Sequence, residues 1–242
     1  KLPVVGNNNN EMERCMRLLL AALLGIVMAG CASAPGDVLE TWRMFLKDTP
    51  DVELSQRQIQ RFPHNLQYVR IADQPRVGMV LGFVDTVAGE RYYNWISADR
   101  ETIVTLHGRA VRVSKLGEFQ LLSVTNKEAD PVAELARQAQ AEGRLGQQTS
   151  GQRQVDYLRN GRTHTVTADS SFEVVAEVDL ELPAQTVRAF HIRERGRFVE
   201  HNRRFTNEFW VEADGHVVQS RQIVAPGAPV LAFTQVKWVG RP

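Results

Sequence analysis

Cys31 is the residue whose position most directly implies chemistry. Before it come Arg17, the apolar run Leu18 to Met28, and the small pair Ala29 and Gly30. That is the order of the charged segment, apolar segment and small-residue cleavage site of an export signal. The pattern resembles a lipobox, in which small residues let a signal peptidase approach and the thiol carries a diacylglyceryl group; Met28 stands where leucine is favoured. Several acyl chains, palmitate among them, would hold the protein firmly, at about 0.8 kcal/mol per buried methylene. The apolar run falls short of the roughly 20 residues that a membrane-spanning helix needs, so anchorage is expected from the lipid on Cys31. Ala32 and Ser33 follow, with no aspartate of the kind that retains such proteins at the inner membrane. The expected location is the bacterial envelope, at the outer membrane and facing the periplasm.

Five further side chains are candidates for contact with a glycan or a partner. If Phe209, Val211 and Ala213 form the inward face of a strand, Trp210 shares the other face with Glu208 and Glu212. An indole beside two carboxylates can stack on a sugar ring while the acids accept hydrogen bonds from its hydroxyls. The alternative is a ring covered by a neighbouring segment, because a large aromatic is rarely left bare. Trp95 shares a face with Tyr93 and Ser97, where it can anchor one end of a core or stack on a ligand. Arg109 follows Gly108 at an expected hairpin turn, and a salt bridge to Asp99 would account for it.

Catalysis finds less support. The chain contains no His-Glu-x-x-His, Gly-x-Ser-x-Gly, phosphate loop or Gly-x-Gly-x-x-Gly, so the motifs of zinc, serine, nucleotide and dinucleotide chemistry are missing. His64, His107, His164, His191, His201 and His216 are scattered without metal-ligand spacing. Asp85, Asp99, Asp169 and Glu208 could form a glycosidase pair only if folding brought two of them together. The expectation is a non-enzymatic protein with no metal and no cofactor.

The elements that must position these residues follow from composition and periodicity. Residues 1–15 read as lying upstream of a start at Met16, and 1–30 as upstream residues plus the signal; 31–50 form a lipidated tether with a short helix, and 51–242 the folded domain. Setting aside Lys1, Arg14, Arg17, Glu11 and Glu13 from 29 basic and 28 acidic residues leaves 26 of each. A neutral body argues against nucleic acid, which needs a strongly basic face. With Cys15 excluded as well, Cys31 cannot form an intramolecular disulfide, so the domain must rely on its core. Helices are expected at Asp37 to Lys47 and at Val132 to Glu142, the second started by Asp130 and Pro131 and stopped by Gly143. A loop is expected over 143–152. Ten apolar runs then read as strands, among them Val77, Met79, Leu81 and Phe83 on one face, and Val174, Ala176, Val178, Leu180 and Leu182 on another. With no βαβ alternation, the fold class is mainly β: a large curved antiparallel sheet forming a barrel-like or sandwich-like body with one or two short helices.

Two segments carry a resemblance. One runs Tyr93-Asn94-Trp95-Ile96-Ser97-Ala98-Asp99, then Ile103-Val104-Thr105 and Gly108-Arg109-Ala110-Val111. The other runs Phe209-Trp210-Val211, Asp214-Gly215, Ser220-Arg221-Gln222-Ile223 and Pro226-Gly227-Ala228-Pro229. Together they resemble the YjbF/GfcB family of envelope lipoproteins encoded with group 4 capsule and related exopolysaccharide export systems, loosely over residues 31–242. The resemblance implies a lipid-anchored protein that assists capsule or exopolysaccharide production by non-catalytic contact with polysaccharide or export-system proteins. Two rivals stand beside it: a lipid or lipoprotein carrier, which needs a large apolar cavity, and a glycan-acting enzyme, which needs paired carboxylates in a cleft.

Overall fold

The computed structural model describes residues 51–116 and 119–240. Cys31 and the helix expected at Asp37 to Lys47 lie outside the described residues. Twelve strands form a closed antiparallel barrel: β1 (Leu66–Ile71), β2 (Val77–Val87), β3 (Glu90–Ser97), β4 (Thr102–Leu106), β5 (Arg109–Leu116), β6 (Phe119–Val124), β7 (Gln148–Arg159), β8 (Arg162–Glu181), β9 (Thr186–Phe198), β10 (Arg203–Val211), β11 (Val217–Gln222) and β12 (Leu231–Lys237). Each strand pairs with its neighbours in sequence, and β1 pairs with β12 to close the ring. Of the two β architectures expected, the barrel is the one observed.

Inward side chains from around the ring fill the interior. Val69, Met79, Trp95, Ile103, Val113, Leu121, Val155, Val166, Phe198, Phe205 and Phe233 belong to one buried cluster. A second cluster joins Phe172, Val174, Phe190, Ile192, Phe209 and Val211 to the buried face of α2 (Val132–Glu142), made by Val132, Leu135, Ala136 and Ala139. The expected helix signals act as read: Asp130 Oδ1 accepts the Val132 N–H at 3.1 Å, and Gly143 ends the helix in the left-handed region at φ 61°. Apolar residues at i, i+3, i+4 and i+7 give α2 one dry stripe, which docks on β8, β9 and β10.

A second short helix, α1 (Gln56–Arg61), precedes the barrel. Ser55 N–H donates to Gln58 Oε1 at 2.8 Å, Ile59 is buried, and the Lys237 ammonium donates to Gln60 O at 2.8 Å at the negative end of the helix. Leu54 N–H donates to the Tyr68 hydroxyl at 2.8 Å. This segment covers the outer face of β1, which is why Leu66 through Val69 are all buried.

Several local expectations need correction. β5 and β6 fall outside the ten apolar runs because Arg112 interrupts one and a bulge between Leu121 and Ser123 breaks the alternation of the other. β7 begins at Gln148, inside the expected loop; its first five residues are polar and exposed, so hydrophobic periodicity is silent there. A bulge between Leu81 and Phe83 breaks the face assigned to β2 and leaves Phe83 51% exposed. Another, between Val174 and Ala176, moves the apolar face of β8 from the interior to the outside, where Leu180 and Leu182 join Val187, Ala189 and Val218. Ala213 lies beyond the end of β10 and is exposed.

Candidate functional site

One mouth of the barrel collects aromatic rings and neutral polar groups. β3 presents Tyr93 and Trp95, β1 presents Gln67, β4 Thr105, β11 Ser220, and β12 Phe233 and Gln235. His216 precedes β11, and Trp238 directly follows β12. The Trp238 ring stands edge-on to Tyr93 at 5.3 Å and to His216 at 4.5 Å, and lies 6.1 Å from Trp95. Trp95 is 3% exposed, and its indole N–H donates to Thr105 Oγ1 at 3.0 Å, which fixes the ring. His216 Nε2 lies 2.5 Å from Gln235 Oε1. Gln67 faces Gln235 across the β1–β12 closure, and its buried Nε2 finds no acceptor among the described residues.

These residues enclose about 60 Å³ of free space, room for a few waters or the edge of a small ring. The pocket opens past Tyr93, His216, Val217 and Trp238 into a groove of about 670 Å³ that also carries Arg91, His107, Arg137 and Asp214. None of the thirteen residues lining the inner pocket is Asp, Glu, Lys or Arg. Aromatic faces suit the C–H faces of a sugar ring, and amides and hydroxyls exchange hydrogen bonds with its hydroxyls.

The two sequence segments meet beneath this mouth. Gly108 has φ 76°, and any Cβ there would lie 2.3 Å from Val217 Cβ, so the position requires glycine. The Gln222 side chain clasps the same turn: its Nε2 donates to Gly108 O and to Ser220 Oγ, both at 2.8 Å, and its Oε1 accepts the Ala110 N–H at 3.1 Å. The motif Gly108-Arg109 and the motif Ser220-x-Gln222 are therefore two halves of one buried contact.

Arg109 turns inward and is 3% exposed. It pairs with Asp130 at the start of α2 and with Glu194, whose Oε2 lies 3.0 Å away, rather than with Asp99, which is exposed. The second contact is made by charge without an aligned hydrogen bond. The guanidinium sits 5.0 Å from the Phe209 ring. Arg153 Nη1 lies 2.6 Å from Glu194 Oε1, and Glu194 also accepts from Ser170 at 2.7 Å and Asn207 at 3.0 Å. Burial alone would raise the Glu194 carboxyl, but the charges of Arg109 and Arg153 and these hydrogen bonds overcome it and hold the group at about 2. The same carboxylates push the Arg109 guanidinium up against the opposing effect of burial.

Trp210, Glu208 and Glu212 share an outer face, each partly exposed, while Phe209 and Val211 are fully buried. One face of the indole is occupied: the His191 ring stacks on it at 4.8 Å, nearly parallel, and Trp210 borders the outer cluster of Leu182, Val187, Ala189 and Val218. Glu208 lies 3.5 Å from His191 Nε2 and 4.0 Å from Arg193. Burial holds the His191 imidazole below its usual range against the pull of Glu208.

Of the residues singled out from sequence, the mouth includes Trp95. Arg109 lies in the buried network, and Trp210, Glu208 and Glu212 lie on the outer wall. Gln67, Gln235, His216 and Trp238 were not anticipated. The available signal was parity: Gln67 occupies the same strand face as Val69, and Gln235 the same face as Phe233, so each places an amide where an apolar residue belongs.

Fold and mouth together define a class: a filled, closed twelve-stranded barrel with an aromatic and amide pocket at one end. The chain belongs to the YjbF family, described as group 4 capsule polysaccharide lipoprotein, whose pattern matches residues 39–236. It is 27% identical to the uncharacterised lipoprotein GfcB of Escherichia coli K12, over 92% of this chain and 99% of that one. It is 26% identical to the lipoprotein YjbF of the same strain, over 83% and 88% respectively. Among solved structures it is similar to the hypothetical lipoprotein YmcC of Escherichia coli K12, with TM-score 0.69 and 25% identity, covering 84% of this chain and 97% of that one.

Proposed function

We propose that this protein is a lipoprotein, anchored through Cys31 in the outer membrane and facing the periplasm, that assists capsule or exopolysaccharide production by binding polysaccharide without cleaving it. Residues 1–30 are the upstream segment and signal, 31–50 the tether, and 51–242 the binding domain. The observation that carries this reading is the mouth, where Tyr93, Trp95 and Trp238 stand beside Gln67, Gln235, Thr105 and Ser220. Sugar rings offer both apolar faces and hydroxyls, and this lining offers partners for each. Cleavage of a glycosidic bond needs two carboxyl groups flanking it; the inner pocket is lined by none and the adjoining groove by Asp214 alone. A lipid carrier needs an unfilled apolar interior, and here the interior is occupied by the buried cluster and the Arg109, Arg153 and Glu194 network. The capsule setting comes from the family.

The reading is tested by deleting the gene and scoring surface polysaccharide. Loss of polysaccharide, restored by the wild-type protein and not by Cys31→Ala, is the expected result. Normal polysaccharide in the deletion strain would contradict it.

A further inference from the structure

The charged residues of the mouth are confined to its outer part. Arg91, Arg137 and Asp214 line the groove, whereas the inner pocket is lined by rings, amides, hydroxyls and one imidazole. A carboxylated or phosphorylated sugar entering the inner pocket would shed its hydration with no lysine or arginine among the described lining residues to replace it. An uncharged sugar would lose only hydroxyl hydration, which neutral donors and acceptors replace. Gln67 supplies the second observation. It is 92% buried, lines this pocket, and carries an Nε2 without an acceptor among the described residues. A buried amide donor left unmet costs free energy until something bonds it, so the position is costly unless a ligand oxygen fills it.

We propose that the inner pocket receives an uncharged sugar residue of the polysaccharide, with the Gln67 carboxamide as the donor that selects it. This rests on the polysaccharide-binding reading above. The half-buried rings of Tyr93 and Trp238 flank the entrance and meet the apolar face of the sugar. Its hydroxyl-bearing edge enters the free space and accepts from Gln67 once the carboxamide turns toward it. The limited volume admits part of one ring, so the neighbouring sugars lie in the groove, where Arg91 and Arg137 face any acidic residue of the same chain.

The test uses the full-length lipidated protein in detergent and saturation-transfer NMR with four probes: the methyl glycosides of glucose, galactose and N-acetylglucosamine, and glucuronate. The wild type should transfer saturation to at least one neutral glycoside, and any transfer to glucuronate, which the groove arginines can hold, should be unaffected by Gln67→Leu. Gln67→Leu, which keeps side-chain volume and removes the donor, should bind that glycoside about fivefold more weakly, the factor expected for one lost hydrogen bond. Trp238→Ala lies past the last strand, so it probes the same site should Gln67→Leu fail to fold, and it should weaken the same signal. Equal affinity in wild type and both variants would overturn the proposal, as would glucuronate transfer that Gln67→Leu weakens as much as that of the neutral sugars, or no transfer to any of the three glycosides. A deletion strain that loses surface polysaccharide while the glycosides fail to bind removes the pocket assignment and leaves the broader function standing.

Discussion

At Glu194 one fully buried carboxylate meets Arg109, Arg153, Ser170 and Asn207. A buried ion pair adds little net stability over an apolar packing, but removing one partner strands the others in a dry site. Glu194→Leu, which leaves two arginines facing Asp130 alone, is expected to cost about 3–5 kcal/mol in urea unfolding. Because the folded carboxyl is held at about 2, below its ordinary value, its contribution is complete above about pH 4.5 and is lost as the pH falls from there toward 2. The melting temperature of the wild type should drop across that window, and the drop should be shallower in Glu194→Gln; identical profiles would show that other carboxylates govern acid unfolding. On the outer wall, Trp210 already stacks on His191 and borders an apolar cluster. Trp210→Ala should therefore cost about 1 kcal/mol of stability, the scale of a lost aromatic pair, and leave glycoside affinity at the mouth unchanged. A loss of affinity without loss of stability would move the sugar contact to the outer wall.

Between strands, the motifs act through geometry. Gly108 ends the turn before β5 in a conformation that L side chains avoid, with Val217 of β11 filling the space a Cβ would need. Gly108→Ala should destabilise by about 2–3 kcal/mol from overpacking and backbone strain together. Against a Val217→Gly background, which removes the Cβ and both methyls that crowd the turn, Gly108→Ala should cost only about 1 kcal/mol from the backbone; an equal cost in both backgrounds would show that strain alone matters. The Gly108-Arg109 and Ser220-x-Gln222 motifs were visible as words in the sequence, but their contact spans more than one hundred residues and only the closed ring brings them together. The barrel class, the α2 boundaries and ten of the twelve strands could be read because each rests on local periodicity or capping. β5, β6 and the first half of β7 could not, because an arginine within the strand, a bulge and polar exposed residues respectively suppress that periodicity. Bulges hid the side assignments on β2 and β8, since one extra residue inverts every side chain after it. The mouth pocket was hidden for a related reason: its residues come from β1, β3 and β4 on one side and β11, β12 and the segments beside them on the other, and only closure of the ring brings the two sets together.

Taken whole, the molecule closes β1 onto β12 and packs its interior with side chains, so its contacts with large partners must be made at the mouths or on the outer wall. The sequence balance of charge outside residues 1–30 is near neutral, which suits contact with a hydroxyl-rich polymer better than with nucleic acid. Localisation is proposed to depend on Cys31, and palmitate labelling should be lost in Cys31→Ala; labelling that persisted would place the lipid elsewhere. Non-catalytic polysaccharide binding is the central claim, and size-exclusion chromatography with light scattering tests it in one run. The lipidated protein is incubated with surface polysaccharide purified from the producing strain, then separated. The account predicts that protein elutes with the polysaccharide, that Gln67→Leu and Trp238→Ala reduce this co-elution, and that the mass of the recovered polysaccharide is unchanged. Separate elution of wild-type protein and polysaccharide, or a polysaccharide shortened by incubation, would contradict it.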